Sequence, residues 1–419
     1  MVRKGAMALT IANALFDGER VGLRCEDGTI AALGADVVAQ PGDEVIDAAG
    51  AHLVPPLVNG HTHAAMTLFR GSGGGLPLMP WLQERIWPVE AKLTDEDVYQ
   101  GARLACAEMI HSGTTRFWDM YWHAPATARA VEDAGLRAAI GAPLFDATSS
   151  FAELKDSAHR SLEALAGTGP LVTAALAPHA IYTVSEESLR WIGELSAERD
   201  LPVQIHLSET EKEVQDCLAE HHERPAYYLD RLGLLNERTV LAHGVWLDPD
   251  ELALVAERGA TVVTNPVANM KLAVGGVFPH PAAKAAGVNV GLGTDGAGSN
   301  DSLDLLADLK LFALAQKHAA ADPTAIDAAE AWAVATGARA PLLGATPLEP
   351  GAPADFLLLR PEAPELGIGD LTADLVYAAT GSVVDTTVVA GRVLMRGGEL
   401  PGLDEIVTRA AECAHRLGL

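Results

Sequence analysis

The sequence predicts an α/β protein: a (β/α)8 TIM-like barrel with a small β-sandwich domain formed by the N- and C-terminal segments. Three observations predict it. Short buried apolar runs alternate with helical stretches of about 10 residues or more, eight such runs follow one another, and turn-punctuated strand-like segments stand at both ends of the chain. With 419 residues, 49% of them hydrophobic, the chain is long enough to bury a core of that size.

The elements follow in order. Leu9 to Phe16, Val21 to Cys25 and Thr29 to Leu33 read as strands separated by Asp17-Gly18 and Asp27-Gly28. From Leu53 the texture changes, and the eight barrel strands are expected at Leu53 to Val58, Thr114 to Met120, Arg137 to Leu144, Leu171 to Ala177, Pro202 to Leu207, Thr239 to Ala242, Ala260 to Thr264 and Asn289 to Gly293. Each is followed by helical sequence, as a parallel barrel requires. After a helical segment from Pro323 to Leu343, Gly351-Ala352-Pro353-Ala354-Asp355 opens a strand at Phe356 to Leu359. Val383 to Ala390 and Arg392 to Met395 then form a hairpin around Ala390-Gly391. The expected division is 1–52 with 346–419 as the sheet domain and 53–345 as the barrel.

Composition narrows the function classes. Thirty basic against 56 acidic residues give a formal charge of −26, which repels phosphate backbones and anionic membranes, so nucleic acid and membrane are not expected partners. Cys25, Cys106, Cys217 and Cys413 are scattered without a C-x-x-C pair and suggest neither a disulfide framework nor a thiolate metal site. Met1 to Met7 carries two cations but is followed by a stretch broken by Asn13 and Asp17, not by a secretory apolar core. A cytoplasmic protein is the expectation.

Five polar features sit where a barrel strand is expected to end: His61 and His63 after the first, His206 at the fifth, His243 at the sixth and Asp295 after the eighth. Any one of them has an ordinary packing explanation, and in a chain with 14 His an H-x-H arises readily by chance. Their joint placement carries the argument. Residues two apart on a strand share a face, so His61 and His63 can reach one cation. Neutral imidazoles with one carboxylate suit a single divalent metal such as Zn²⁺, and Fe²⁺ and Mn²⁺ use the same ligand types. His61, His63, His206 and Asp295 form the expected ligand set, and His243 is either a further ligand or a partner of the attacking water.

Glu209, three residues after His206, is placed to shuttle protons beside the metal, or else to serve the start of the charged helix that follows it. The connection from Ala64 to Pro88 carries Gly71, Gly73, Gly74 and Gly75 but lacks the Lys and Ser or Thr of a phosphate loop. It reads as a mobile loop over the barrel mouth, with Trp81 available to stack on a flat ring.

These residues make the chain resemble the amidohydrolase superfamily, and within it the 5'-methylthioadenosine/S-adenosylhomocysteine deaminases. The shared text includes Val58-Asn59-Gly60-His61-Thr62-His63, Pro88-Val89-Glu90, Ala177-Pro178-His179, His206-Leu207-Ser208-Glu209, Ala242-His243-Gly244, Asn269-Met270-Lys271-Leu272 and Gly293-Thr294-Asp295-Gly296 with Ser299-Asn300. The resemblance implies a barrel plus a terminal sheet domain and one metal on His61, His63, His206 and Asp295. It also implies that His243 positions the water, that Glu90 and His179 contact a nucleoside, and that the protein is a homo-oligomer. Dinuclear branches of the superfamily use a carboxylated lysine after the fourth strand, whereas this chain has Leu176-Ala177-Pro178-His179 there. Relatives that accept S-adenosylhomocysteine hold its carboxylate with arginines after the third strand. Here Ala138 to Pro178 contains only Lys155 and Arg160 as cations, so a neutral 5' group is favoured.

The expected reaction is therefore hydrolytic deamination of an adenine nucleoside of the methylthioadenosine, adenosine or S-adenosylhomocysteine type. Asp295 takes the proton of the water and Glu209 protonates the ring nitrogen. The rivals are a related enzyme acting on aminodeoxyfutalosine, guanine or 8-oxoguanine, a pterin or a triazine, and, in another class, a metal-free binding scaffold.

Overall fold

In the computed structural model, residues 8–72, 75–147 and 149–419 are described. Met1–Met7, Gly73 and Gly74, which entered the sequence reading, lie outside them. The chain is an α/β fold in which parallel strands alternate with helices along the central segment. One four-stranded parallel sheet has the order Val172–Ala174, Arg137–Gly141, Thr114–Met120, Leu57–Thr62, and a second runs Val203–Leu207, Thr239–His243, Thr261–Thr264, Asn289–Leu292.

Hydrogen bonds link the two sheets on both sides. On one side the amides of Leu176 and His206 donate to the carbonyls of Pro202 and His179, each at 2.9 Å. On the other the Asp295 amide donates to the His61 carbonyl at 3.0 Å, and Asn59 Nδ2 donates to Thr294 Oγ1 at 2.7 Å. The first and last strand ends are thus brought together, with His61 and Asp295 side by side.

Three expected strands are divided, two of them at proline. The run Leu53 to Val58 is split at Pro55-Pro56, because proline offers no amide to a ladder. His52–Val54 pairs antiparallel with Phe356–Leu359 in the terminal sheet, and the barrel-type strand begins at Leu57. Pro143 likewise divides the third run into Arg137–Gly141 and Pro143–Leu144. The fourth is divided into Val172–Ala174 and Ala177–Pro178, and Ala177–Pro178 pairs parallel with Pro143–Leu144.

Strands from both ends of the chain share one eight-stranded sheet. Its order is Arg392–Met395, Val384–Val389, Phe356–Leu359, His52–Val54, Leu9–Phe16, Glu19–Glu26, Thr29–Gly34, with Glu44–Asp47 beside Leu9–Phe16. It has its own buried cluster, including Ile11, Leu23, Phe356 and Val388, separate from the central core. The expected helix over Pro323 to Leu343 is shorter, Ala328–Ala335 followed by a single turn at Pro341–Leu343. The connection after the first strand is not a plain loop. Leu78–Trp81, Leu82–Ile86 and Trp87–Glu90 form one helical stretch with a wider turn in its middle.

Candidate active site

The helix Asp95–Ser112 shows how local sequence delivers a strand to the site. Thr94 and Asp97 cap its start reciprocally, and Gly113 ends it with φ +86°, turning the chain into Thr114–Met120. The carbonyl of Met120, the last residue of that strand, accepts from His63 Nδ1 at 2.6 Å. At the other strand ends three non-glycine residues take left-handed backbone conformations: Ser208 (φ +51°), His243 (+79°) and Asp295 (+61°). Such conformations cost about 1–3 kcal/mol each and concentrate where geometry serves a site.

The structure brings the expected ligands together. His61 Nδ1 faces Gln204 Oε1 at 3.3 Å, and His206 Nδ1 faces His243 Nε2 at 3.1 Å. The Met120 carbonyl and the Gln204 amide oxygen only accept, so they place the protons of His63 and His61 on Nδ1. The Nε2 lone pairs of these rings then point inward. Nε2 of His61 and of His206 and Oδ1 of Asp295 are buried and make no well-formed hydrogen bond. His63 Nε2 and His61 Nε2 lie 3.1 and 3.5 Å from Asp295 Oδ1. The ligating atoms of His61, His63 and His206 all fall within 4.8 Å of one another, as do those of His61, His243 and Asp295. A buried centre faced only by lone pairs fits a cation, so the donor set matches a divalent metal.

Burial shapes the electrostatics. It lowers His61 to about 4 and His179 to about 3. At His63 burial pulls the same way, but the nearby Asp295 carboxylate and the Met120 carbonyl win and hold the ring up at about 9, a proton that a cation bound at the cluster would displace. Asp295 falls well below the usual carboxylate range. Burial opposes that shift, and His61 and His63 overcome it.

Glu209 stands outside the helix that follows it. The helix starts at Glu211 with Thr210 as its cap, and Glu209, 5% exposed, precedes the cap and lines the pocket. Burial raises its carboxyl above the ordinary range. Its Oε2 lies 3.9 Å from His243 Nε2. The same pocket, about 660 Å³ including its open part, is also lined by Trp81, Glu90 and His179. Trp81 is buried and donates from Nε1 to the Ser72 carbonyl at 3.2 Å.

Sequence reasoning missed the supporting residues. Gln204 shares a strand face with His206, and that parity was a readable signal. Asn269 accepts from His243 Nδ1 at 2.8 Å, and Ser299 Oγ donates to Asp295 Oδ2 at 2.6 Å. Both stand in the motif text but carried no assigned role. Glu213, one turn into its helix, accepts from the Ser208 and Glu209 amides at 2.8 and 2.9 Å and fixes the backbone that presents Glu209.

A parallel α/β fold with a carboxylate and histidines at its strand ends defines a metal-dependent hydrolase class, and the chain belongs to the amidohydrolase family, whose model matches residues 52–394. It is a hydrolase acting on C–N bonds. Among individual proteins, it is 48% identical to a 5'-deoxyadenosine deaminase of Methanoregula boonei over 89% of this chain and 86% of that one. It is 41% identical to 5-methylthioadenosine/S-adenosylhomocysteine deaminase 1 of Archaeoglobus fulgidus, over 94% of each. Among solved structures, a zinc-bound adenosine deaminase from Xanthomonas campestris superposes with a TM-score of 0.91 at 35% identity, covering 98% of both chains. A triazine hydrolase variant at 22% identity, TM-score 0.89, shares the fold.

Proposed function

We propose that this chain hydrolytically deaminates an adenine nucleoside to the inosine analogue and ammonia, using one divalent metal held by His61, His63, His206 and Asp295. The observation that carries the reading is the buried, unpartnered Nε2 of His61 and of His206 and Oδ1 of Asp295, with His63 Nε2 3.1 Å from that oxygen, beside the buried carboxyl of Glu209. Zn²⁺ is the ion we assign, with Fe²⁺ and Mn²⁺ able to use the same donors. Bound there, such an ion supplies Lewis acidity that brings a water's pKa to about 7.

The chain's own groups do the rest. Asp295 accepts a proton from the attacking water while His243 orients that water. Glu209 delivers a proton to the ring nitrogen next to carbon 6, so that hydroxide adds to that carbon. A proton passed on to the amino group lets the C–N bond break, and the electron pair leaves with ammonia. Of the water's two protons, one ends on the ring nitrogen and one in ammonia. His179, held neutral by burial and joined through Nδ1 to Thr183 Oγ1 at 2.9 Å, binds the purine edge, Glu90 takes the ribose hydroxyls and Trp81 stacks against the ring.

The same reading carries the architecture: a closed (β/α)8 barrel over 55–345 and a terminal sheet, 8–54 with 346–419, folded over its own core as a small sandwich. It makes the protein a cytoplasmic homo-oligomer acting on a small molecule, without a nucleic-acid partner. Among the described residues no helix is long and apolar enough to cross a membrane. The test is ammonia release from a panel of adenosine, methylthioadenosine, aminodeoxyfutalosine, guanine, a pterin and a triazine, with metal analysis of the purified protein. Preference for a free base or a triazine sinks the reading.

A further inference from the structure

Lys271 stands in the motif text Asn269-Met270-Lys271-Leu272, and the site described above gives it no part. It is the last residue of the short helix Pro266–Lys271, which follows the strand Thr261–Thr264 and also carries Asn269. Its ammonium donates to Asp301 Oδ2 at 2.6 Å and to the Gly298 carbonyl at 3.3 Å, both in the connection after the strand Asn289–Leu292. The other oxygen of Asp301, Oδ1, accepts from the Gly71 amide at 2.9 Å, in the connection after Leu57–Thr62. One ammonium and one carboxylate therefore tie together three strand-end connections that lie far apart in the sequence.

Both arms of this clasp end at Trp81. Ser72, next to Gly71, accepts from the indole Nε1 at 3.2 Å, and its own amide donates to the Phe69 carbonyl at 2.9 Å. Gly298 packs against the six-membered ring, since a Cβ there would come within 3.3 Å of Trp81 Cζ2. Lys271 thus holds one contact of the indole through Gly298 and the other through Asp301 and the turn at Gly71.

Two observations separate this role from bland ones. Trp81, Leu272 and Ser299 are among the described residues that line the pocket and Lys271 is not, so it acts through its neighbours and not on a ligand. With side chains 26% and 43% exposed, the Lys271–Asp301 pair adds little to stability. Burial works against the Asp301 charge, but the Lys271 ammonium and the Gly71 amide win and hold the carboxyl below its usual range. Asp301 itself sits in a left-handed conformation, φ +71°, between its two partners.

We infer that Lys271 is a positioning residue that, through Asp301 and Gly298, fixes the indole of Trp81 against the base of the substrate. It sets how tightly the nucleoside binds and leaves the chemical step alone. The inference rests on the deaminase reading above, in which Trp81 stacks on the ring.

The test is kcat and KM for adenosine, by ammonia release from the full, metal-loaded chain. Lys271→Met, which keeps the length of the side chain and removes the charge, should raise KM about 3–10-fold, the size of one lost stacking contact, with kcat within about 2-fold of wild type. Lys271→Arg, still a cationic donor, should bring KM back to within about 2-fold of wild type. In a Trp81→Leu background, Lys271→Met should add less than about 2-fold, because the contact it serves is already gone. Asp301→Asn keeps an acceptor for the Gly71 amide but loses the ion pair, and its KM should rise in the same direction, which gives a second reading should Lys271→Met not fold. An unmoved KM, a fall in kcat at constant KM, no rescue by arginine, or a full Lys271→Met effect without the indole overturns the assignment while the deaminase reading stands. If the wild-type chain releases no ammonia from any adenine nucleoside, the deaminase reading falls and this inference falls with it.

Discussion

His243 and Asn269 are joined by a buried hydrogen bond, ring Nδ1 to amide Oδ1 at 2.8 Å. The amide oxygen only accepts, so the His243 proton sits on Nδ1 and Nε2 keeps its lone pair, 3.1 Å from His206 Nδ1. His206 then donates to His243, and its own Nε2 faces the cluster unprotonated. Asn269, closer to His243 Nδ1 than the Asn265 amide nitrogen at 3.4 Å, thus sets the tautomers of two rings.

Asn269→Leu removes that acceptor at similar volume. Turnover should fall about 10–100-fold with little change in KM, as for other residues that orient a ligand ring through its second nitrogen. Asn269→Asp, which still accepts, should recover part of the loss. Steady-state kinetics on both variants, with their metal content measured, decide it. Equal activity of the Leu variant and wild type would remove the tautomer argument.

Glu209→Gln keeps the shape of the side chain and loses the proton. We expect kcat to drop by at least about 100-fold while the protein binds a full complement of metal, because Glu209 is not among the proposed ligands. Near wild-type turnover at full metal occupancy would disprove the proton-shuttle role.

Gly293 is glycine for reasons of space. A Cβ there would press on the Asn265 side-chain oxygen and lie 2.9 Å from the His61 carbonyl. Gly293→Ala should therefore destabilise the fold by about 1–3 kcal/mol and weaken metal retention, because the strand carrying His61 must shift. Gly167→Ala, with open space around its Cβ, serves as the control and should leave the urea midpoint unchanged.

Arg24 grips Asp43 through two nitrogens, Nε to Oδ2 at 2.9 Å and Nη2 to Oδ1 at 3.2 Å, and Thr10 and the Gln40 amide also donate to Oδ2. The Arg24 hydrogen bond, followed by those of Gln40 and Thr10, holds the Asp43 carboxyl well below its usual range. A depressed carboxylate contributes stability that is complete above its unfolded pKa, about 3.9, and is lost as pH falls through the folded value. Asp43→Asn should thus be less stable than wild type at pH 7, and the difference in melting temperature should shrink steadily below about pH 4. A gap that is constant with pH would contradict the assignment.

Much of this fold is legible from sequence because buried strands are short apolar runs between turn residues. Thr114–Met120, Phe356–Leu359 and Arg392–Met395 occur at the expected bounds. Glu44–Asp47 was not legible, because four residues with a charge at each end carry no apolar alternation. The helix Leu403–Leu417 also went unread, although Asp404 and Glu405 fall in its first turn and His415 and Arg416 in its last. Leu53 and Val54 were misplaced because their partner strand lies far along the chain, and only tertiary pairing shows that Pro55-Pro56 divides two sheets. At the site, the histidines and the carboxylate that the fold gathers were readable since each ends a strand. Gln204, Asn269 and Ser299 gain meaning only from which side chain each meets across the fold.

The pairing of Leu53 with Leu358 has a consequence for how the protein is made. Synthesis runs from one end, so the strands of the first fifty residues emerge long before Phe356–Leu359 exists to join them, and until then one edge of their sheet is open to other chains. The segment that carries every proposed metal ligand is translated in that interval. Assembly of the terminal sheet is therefore a late, long-range closure and the step most exposed to aggregation.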